Sequence, residues 1–251
     1  MSSPPKVSFY VGCMNTINTI AHLLMGGTIF LTFAVSDIYT PSILLSQPLL
    51  FEAHVVTTMI GVTLLCSQAI LSVNPYAGFE DNFMYPKKSK SYWIIQIIGS
   101  VLVLCGACIG VAHVSEMIPT INGTPLKIED LPFPTPGIKL KHLSSDHGII
   151  GFLVLLLAAA SLVGAIANLA IKEKLSSAMK ASYTVVGTIT ILLAYIAVSI
   201  KFGDFNKLLD YIEPGHEIGT FSLGISFAVL SLSALLIMMG ARVFVTRSIN
   251  F

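Results

Sequence analysis

Two histidines stand five residues apart in HLSSDHGIIGF, residues 142–152, at the mouth of a long apolar run. The chain has six histidines in all. His54 opens one apolar run, His113 closes another, and His142 and His147 precede a third. His216 lies ahead of the last run, and only His22 falls near the middle of one. Ionisable groups are costly at membrane depth, so a histidine there is a functional residue by default. The plainer role is a neutral imidazole bridging two helices.

Spacing separates the two histidines of the opening stretch. Five residues turn a helix by about 500°, which leaves such side chains ~140° apart if both are helical. His142 and His147 therefore do not easily serve one ion. His147 is the better ligand, because Gly148 and Gly151 leave space beneath it for a flat group. His54 has a comparable surround, with Thr58 and Gly61 on its own face. Two neutral imidazoles on facing helices can bind haem iron or a zinc ion. Zinc usually takes three or four ligands and needs no flat cavity. Haem takes axial ligands within apolar walls, which suits sparse histidines in a helical bundle better.

The elements that must position these residues are legible in the composition. Of 251 residues, 54% are hydrophobic and 11% are charged. A soluble domain carries about 25% charged residues, so the deficit marks a membrane protein. A net charge of +1 offers no electrostatic attraction for nucleic acid. Apolar runs recur at roughly 11–36, 53–74, 92–115, 147–171, 181–201 and 218–245. Each is about 20 residues or longer, enough to cross a ~30 Å hydrocarbon core as a helix. The expectation is an all-α membrane protein of six transmembrane helices, forming a single domain over residues 1–251. The amino terminus, MSSPPKVSFYVGC, lacks the features of a cleaved signal, so the first span is expected to stay in the protein.

Loop charges set the expected orientation. Lys87, Lys88 and Lys90 follow span two, Lys172, Lys174 and Lys180 follow span four, and Arg242 and Arg247 follow span six. This face is expected to be cytosolic, with both termini on it. The loop after span one has no Lys or Arg, and the loop after span five carries Asp204, Asp210, Glu213 and Glu217. Asn122-Gly-Thr124, a glycosylation sequon, falls on the opposite face. With this topology His54, His113, His142, His147 and His216 all lie towards the non-cytosolic rim. Cys105 and Cys108 read C-G-A-C, but inside a lipid-spanning helix they are expected to be plain packing residues. The small-xxx-small surface from Gly106 to Gly110 reads as helix packing.

Four segments together resemble the cytochrome b561 family, in particular its small six-span members. They are IAHLLMGGTIF in span one, HVVTTMIGVTLLCSQAIL in span two, YWIIQIIGSVLVLCGACIGVAH in span three and HLSSDHGIIG leading into span four. The resemblance runs from the first span through the fifth and rests on the order and spacing of these segments. It implies a helical-bundle electron carrier in an endomembrane or plasma membrane, with haem b as cofactor. Ascorbate is the usual cytosolic donor, monodehydroascorbate or ferric iron the usual acceptor, and a homodimer the usual assembly. The family's ligands for the non-cytosolic haem fall on His54 and His147. A histidine near its outer substrate site falls on His113, and Lys87 and Lys88 are placed to attract an anionic donor.

The inner pair departs from the pattern. KSYWIIQ puts Tyr92 in the place of one inner histidine, and SAMKASYTVVG puts Lys180 in the place of the other. Tyrosine ligates haem in some proteins, but a neutral phenol is a poor ligand and a lysine at a span end snorkels to the headgroups. The expectation is therefore a redox protein that retains only the non-cytosolic haem. Two alternatives stay open. One is a complete ascorbate-dependent transmembrane ferric reductase with an atypical inner site. The other is a non-catalytic haem-binding or scaffold membrane protein.

Overall fold

The computed structural model describes residues 5–39, 48–72, 85–115, 120–121, 124–125, 145–171, 176–212 and 219–249. The side chains of Lys87, Lys88, His113 and Lys180 lie outside the described residues, as do Asn122, His142 and His216.

Lipid offers no partner for a bare N–H or C=O, so each span must close its own backbone bonds. The apolar runs accordingly form α1 (Pro5–Tyr39), α2 (Pro48–Met59), α3 (Ser67–Ser72), α4 (Tyr85–Ser115), α5 (Asp146–Ala170), α6 (Ser177–Ile212) and α7 (Gly219–Ile249). A π-helical segment, Ile60–Cys66, joins α2 to α3 without a break. Among the described residues six stretches are long and apolar enough to cross a membrane: Gly12–Ser36, Leu49–Ser72, Ser91–Ala112, Asp146–Ala170, Ser182–Asp204 and Ser222–Gly240. They coincide with the six apolar runs, the second beginning earlier than expected, at Leu49. This is the architecture of a multi-pass membrane protein. Among the described residues the one addition to an all-helical reading is a two-residue antiparallel pair, Thr120–Ile121 with Thr124–Pro125, in the loop after α4.

Hydroxyls within the spans bond back to the carbonyl four residues earlier, as Thr28 does to Leu24 at 2.9 Å and Thr190 to Val186 at 2.8 Å. This local bond keeps a polar side chain satisfied where water is absent. Large apolar side chains such as Leu23, Phe30 and Val163 stand exposed on the outside of the bundle, where acyl chains would cover them.

The spans close into a ring in which α1 packs on α2 and α7, α4 on α2 and α5, and α6 on α5 and α7. The interior holds two main apolar clusters. One joins α1, α3, α6 and α7 through Ala21, Met25, Leu71, Tyr195, Leu235 and Met238. The other joins the second span to α4, α5 and α6 through Val62, Val103, Val154, Ala158 and Ala194.

The π segment changes what the second span presents. Its wider turn shifts the side-chain register partway along the helix, and the Ser67 hydroxyl reaches five residues back, to the Val62 carbonyl at 3.1 Å. A methyl group on Gly61 would lie 2.9 Å from the Gly99 carbonyl oxygen, and one on Gly99 would lie 3.0 Å from the Gly61 carbonyl oxygen. Two backbones therefore meet directly at this crossing. Gly61 does not leave room beside His54, as its place on the His54 face suggested. The π segment starts at Ile60, and Gly61 is spent on contact with α4.

Candidate functional site

α5 begins abruptly, and that start positions His147. The Ser145 side chain accepts from the Gly148 backbone N–H at 3.1 Å, which satisfies one of the free donors of the first turn. Asp146 adds a carboxylate at the same helix start, where the helix dipole favours it. His147 follows, half-buried, on the face that continues through Gly151, Val154 and Ala158.

His54 comes from the second span. Its Nδ1 donates to the Gly106 carbonyl of α4 at 2.7 Å. A methyl group on Gly110 would lie 2.6 Å from that same Nδ1. The small residues of GACIG thus make a shelf on α4 against which the imidazole lies. They are helix-packing residues, as read, and what they pack includes the histidine ring. His147 makes the matching bond on the far side, its Nδ1 donating to the Ala197 carbonyl of α6 at 3.0 Å.

A carbonyl oxygen only accepts, so each Nδ1 must carry the proton. In the neutral form of each ring Nε2 is then unprotonated, the tautomer that presents a lone pair to a metal. Second-partner hydrogen bonds of this kind fix ring orientation and raise ligand basicity. The two rings come together with centroids 6.4 Å apart and planes crossed at 89°. Beneath them lies the apolar cluster of Val62, Val103, Val154, Ala158 and Ala194.

Sequence reasoning missed Lys201. It is half-buried, lies inside the span Ser182–Asp204, and is within electrostatic reach of both imidazoles. A lysine within an otherwise apolar run was itself the signal. The carbonyls of Gly106 and Ala197 gave no signal, because which backbone oxygen faces a ring is decided by how the helices cross.

The remaining histidine with a described side chain is separate. His22 is exposed and its Nδ1 donates to the Asn18 carbonyl of its own helix at 2.7 Å, so it neither bridges helices nor joins the pair. Among the described residues no group of three or more His, Cys, Asp or Glu is gathered to hold a metal ion. A closed zinc site of three or four such ligands is thus not assembled there. All four cysteines are free thiols; Cys66 is buried, whereas Cys105 and Cys108 are exposed rather than packed.

At the other end of the bundle several side chains are buried between helices. Tyr92 is buried against Ala69 and lies edge-on to Trp93, with ring centroids 4.4 Å apart. Gln96 is buried, and the Ser161 and Thr190 hydroxyls meet at 3.4 Å between α5 and α6. Gly187 lies close to both groups, since a methyl group on it would be 3.7 Å from the Gln96 Nε2 and 3.9 Å from the Ser161 Oγ.

Fold and site define a six-span helical membrane protein with a pair of half-buried imidazoles near one rim of the bundle. No family model matches the chain, and no characterised protein matches it by sequence.

Proposed function

We propose that the chain is a membrane redox protein of cytochrome b561 type. It holds one haem b between His54 and His147 and exchanges electrons with small molecules or ferric iron at the non-cytosolic face. The observation that carries this reading is the separation of the two rings. A ligating imidazole nitrogen lies about 2.0 Å from its metal and the ring centre about 1.2 Å further back, so rings on opposite sides of one ion have centres ~6.4 Å apart, against ~5.2 Å for a tetrahedral pair. The observed 6.4 Å matches the opposed arrangement. Crossed planes are compatible with it, because rings that share an axis can turn about it.

Three further observations support the fit to haem. With each Nδ1 donating to a carbonyl, it is Nε2 that a neutral ring offers to a metal. The floor beneath the rings is aliphatic. Gly151, one turn along from His147 on the same face, has no atom within 4 Å of where a methyl group would project, so a flat group has space there. His54 and His147 would hold the iron and keep its ligand field fixed through their bonds to α4 and α6. When bound, the haem supplies a one-electron couple.

The burial of Tyr92, Gln96, Ser161 and Thr190 between helices supports a single haem. With one haem at one rim, much of the ~30 Å core lacks a carrier, so exchange at the histidine face is favoured over transfer across the membrane. In this reading the rim that carries His54 and His147 is non-cytosolic and both termini are cytosolic.

Pyridine-haemochrome analysis of the purified protein tests the proposal, with about one haem per chain expected. Two per chain would overturn the single-haem reading, and none would overturn the haem reading. A second expectation concerns Gly151. Gly151→Leu projects into this open space, where its first carbon meets no atom within 4 Å. Haem per chain should fall several-fold while thermal unfolding of the haem-free protein stays near that of wild type. Undiminished haem in this variant would show that the space is not the porphyrin slot.

A further inference from the structure

We propose that Lys201 raises the reduction potential of the site between His54 and His147, its ammonium favouring the electron-bearing state of the centre. This rests on the haem reading above.

The placement follows from α6. The Ala197 carbonyl accepts from His147 at 3.0 Å, so that face of α6 is turned to the pair. Lys201 is four residues further on, one turn nearer the histidine rim and on the same face. Its ammonium is within electrostatic reach of both imidazoles and of the Asp204 carboxylate. It is the single Lys or Arg among the described side chains. Among the described residues two other carboxylates stand near the rim, but not on the ligand faces. Glu52 is two residues from His54, which is about 200° around the helix, and Asp146 is next to His147, about 100° around. Lys201 and Asp204 are thus the charges that the pair meets from α6.

The porphyrin dianion and two neutral imidazoles leave the oxidised centre with one positive charge and the reduced centre with none. Reduction takes up one electron and removes that charge. A neighbouring cation repels the oxidised form and leaves the reduced form nearly untouched, and the effect is large where water is scarce. The carboxylate of Asp204 acts in the opposite sense and moderates it.

Spectroelectrochemical titration of purified, haem-loaded Lys201→Met, Lys201→Arg and Asp204→Asn decides the matter. Lys201→Met should move the equilibrium about tenfold towards the oxidised form, a fall of about 59 mV for a one-electron couple. Lys201→Arg should stay near wild type, and Asp204→Asn should shift upwards. A Lys201→Met protein with full haem content, an unchanged spectrum and an unchanged potential overturns this inference and leaves the haem reading standing. If Lys201→Met does not fold, an Asp204→Asn protein with unchanged or lowered potential overturns it instead. Wild-type protein purified without haem overturns the underlying reading and this inference together.

Discussion

His54→Ala is expected to abolish the visible absorbance of the purified protein, with haem per chain below about a tenth of wild type. Loss of an outer-shell partner alone typically weakens metal sites 10- to 100-fold, and this variant removes a proposed ligand itself. It also vacates the shelf that Gly106 and Gly110 form on α4, so the space it leaves is shaped for an imidazole. Added imidazole should therefore restore part of the spectrum. His147→Ala should behave alike, since its ring is held by the corresponding bond to Ala197. Retention of a full low-spin spectrum by His54→Ala would show that another residue carries the iron. The side chain of His113, near the end of α4, would then be the next to test.

The second large effect is on the fold. Gly61→Val places a branched side chain where a single methyl group would already lie 2.9 Å from the Gly99 oxygen, from the Val103 backbone nitrogen and from the Val103 Cγ2. Two of those three atoms are backbone and cannot rotate away. Overpacking of a tight contact costs about 1–3 kcal/mol and occasionally more, and this contact sits at the upper end because whole helices must separate. Thermal unfolding in detergent should drop clearly, and haem content should fall with it, because the same crossing presents His54 to α4. Gly26→Ala is the control, since nothing lies within 4 Å of the added methyl group there. Equal stability of Gly61→Val and Gly26→Ala would mean that the crossing of the second span and α4 does not hold the bundle together.

The two expectations act on one piece of structure. The shelf and the crossing lie on the same side of α4, and each depends on small residues that allow the second span to approach. An added side chain at Gly110 would strike the His54 ring, whereas one at Gly99 would strike the Cys66 thiol and backbone. Binding geometry and helix packing are therefore coupled along this seam. A variant that loosens the seam should lose haem before it loses helical content.

Much of the architecture was readable from composition and period alone. A helix is the only open-ended structure that can satisfy its backbone in lipid, so runs of about 20 apolar residues leave few alternatives to six spans. The start of α5 at Asp146 was written in Ser145 and Asp146, whose side chains suit a helix start whatever lies around them. The preference for His147 over His142 also needed no tertiary information, because helical rotation sets the two apart and Gly148 and Gly151 favour His147. The dependence on small residues at Gly106 and Gly110 was visible as spacing, though not the ring that would occupy it.

Other features arise only when helices meet. The π segment Ile60–Cys66 has no distinctive composition, and a wide turn of this kind is rarely stable by itself. Here it sits against α4, at the point where Gly61 and Gly99 bring two backbones together. Gly61 thus faces α4 as His54 does, one crossing further along the seam. The tautomers of His54 and His147 were likewise decided by carbonyls about 50 residues away in sequence. The burial of Lys201 beside the pair required α6 to lean on α5. Local chemistry determined which segments are helices and which histidines share a rim. The distance between two imidazoles and the charge beside them depend on how helices cross, a long-range packing result that no single segment encodes.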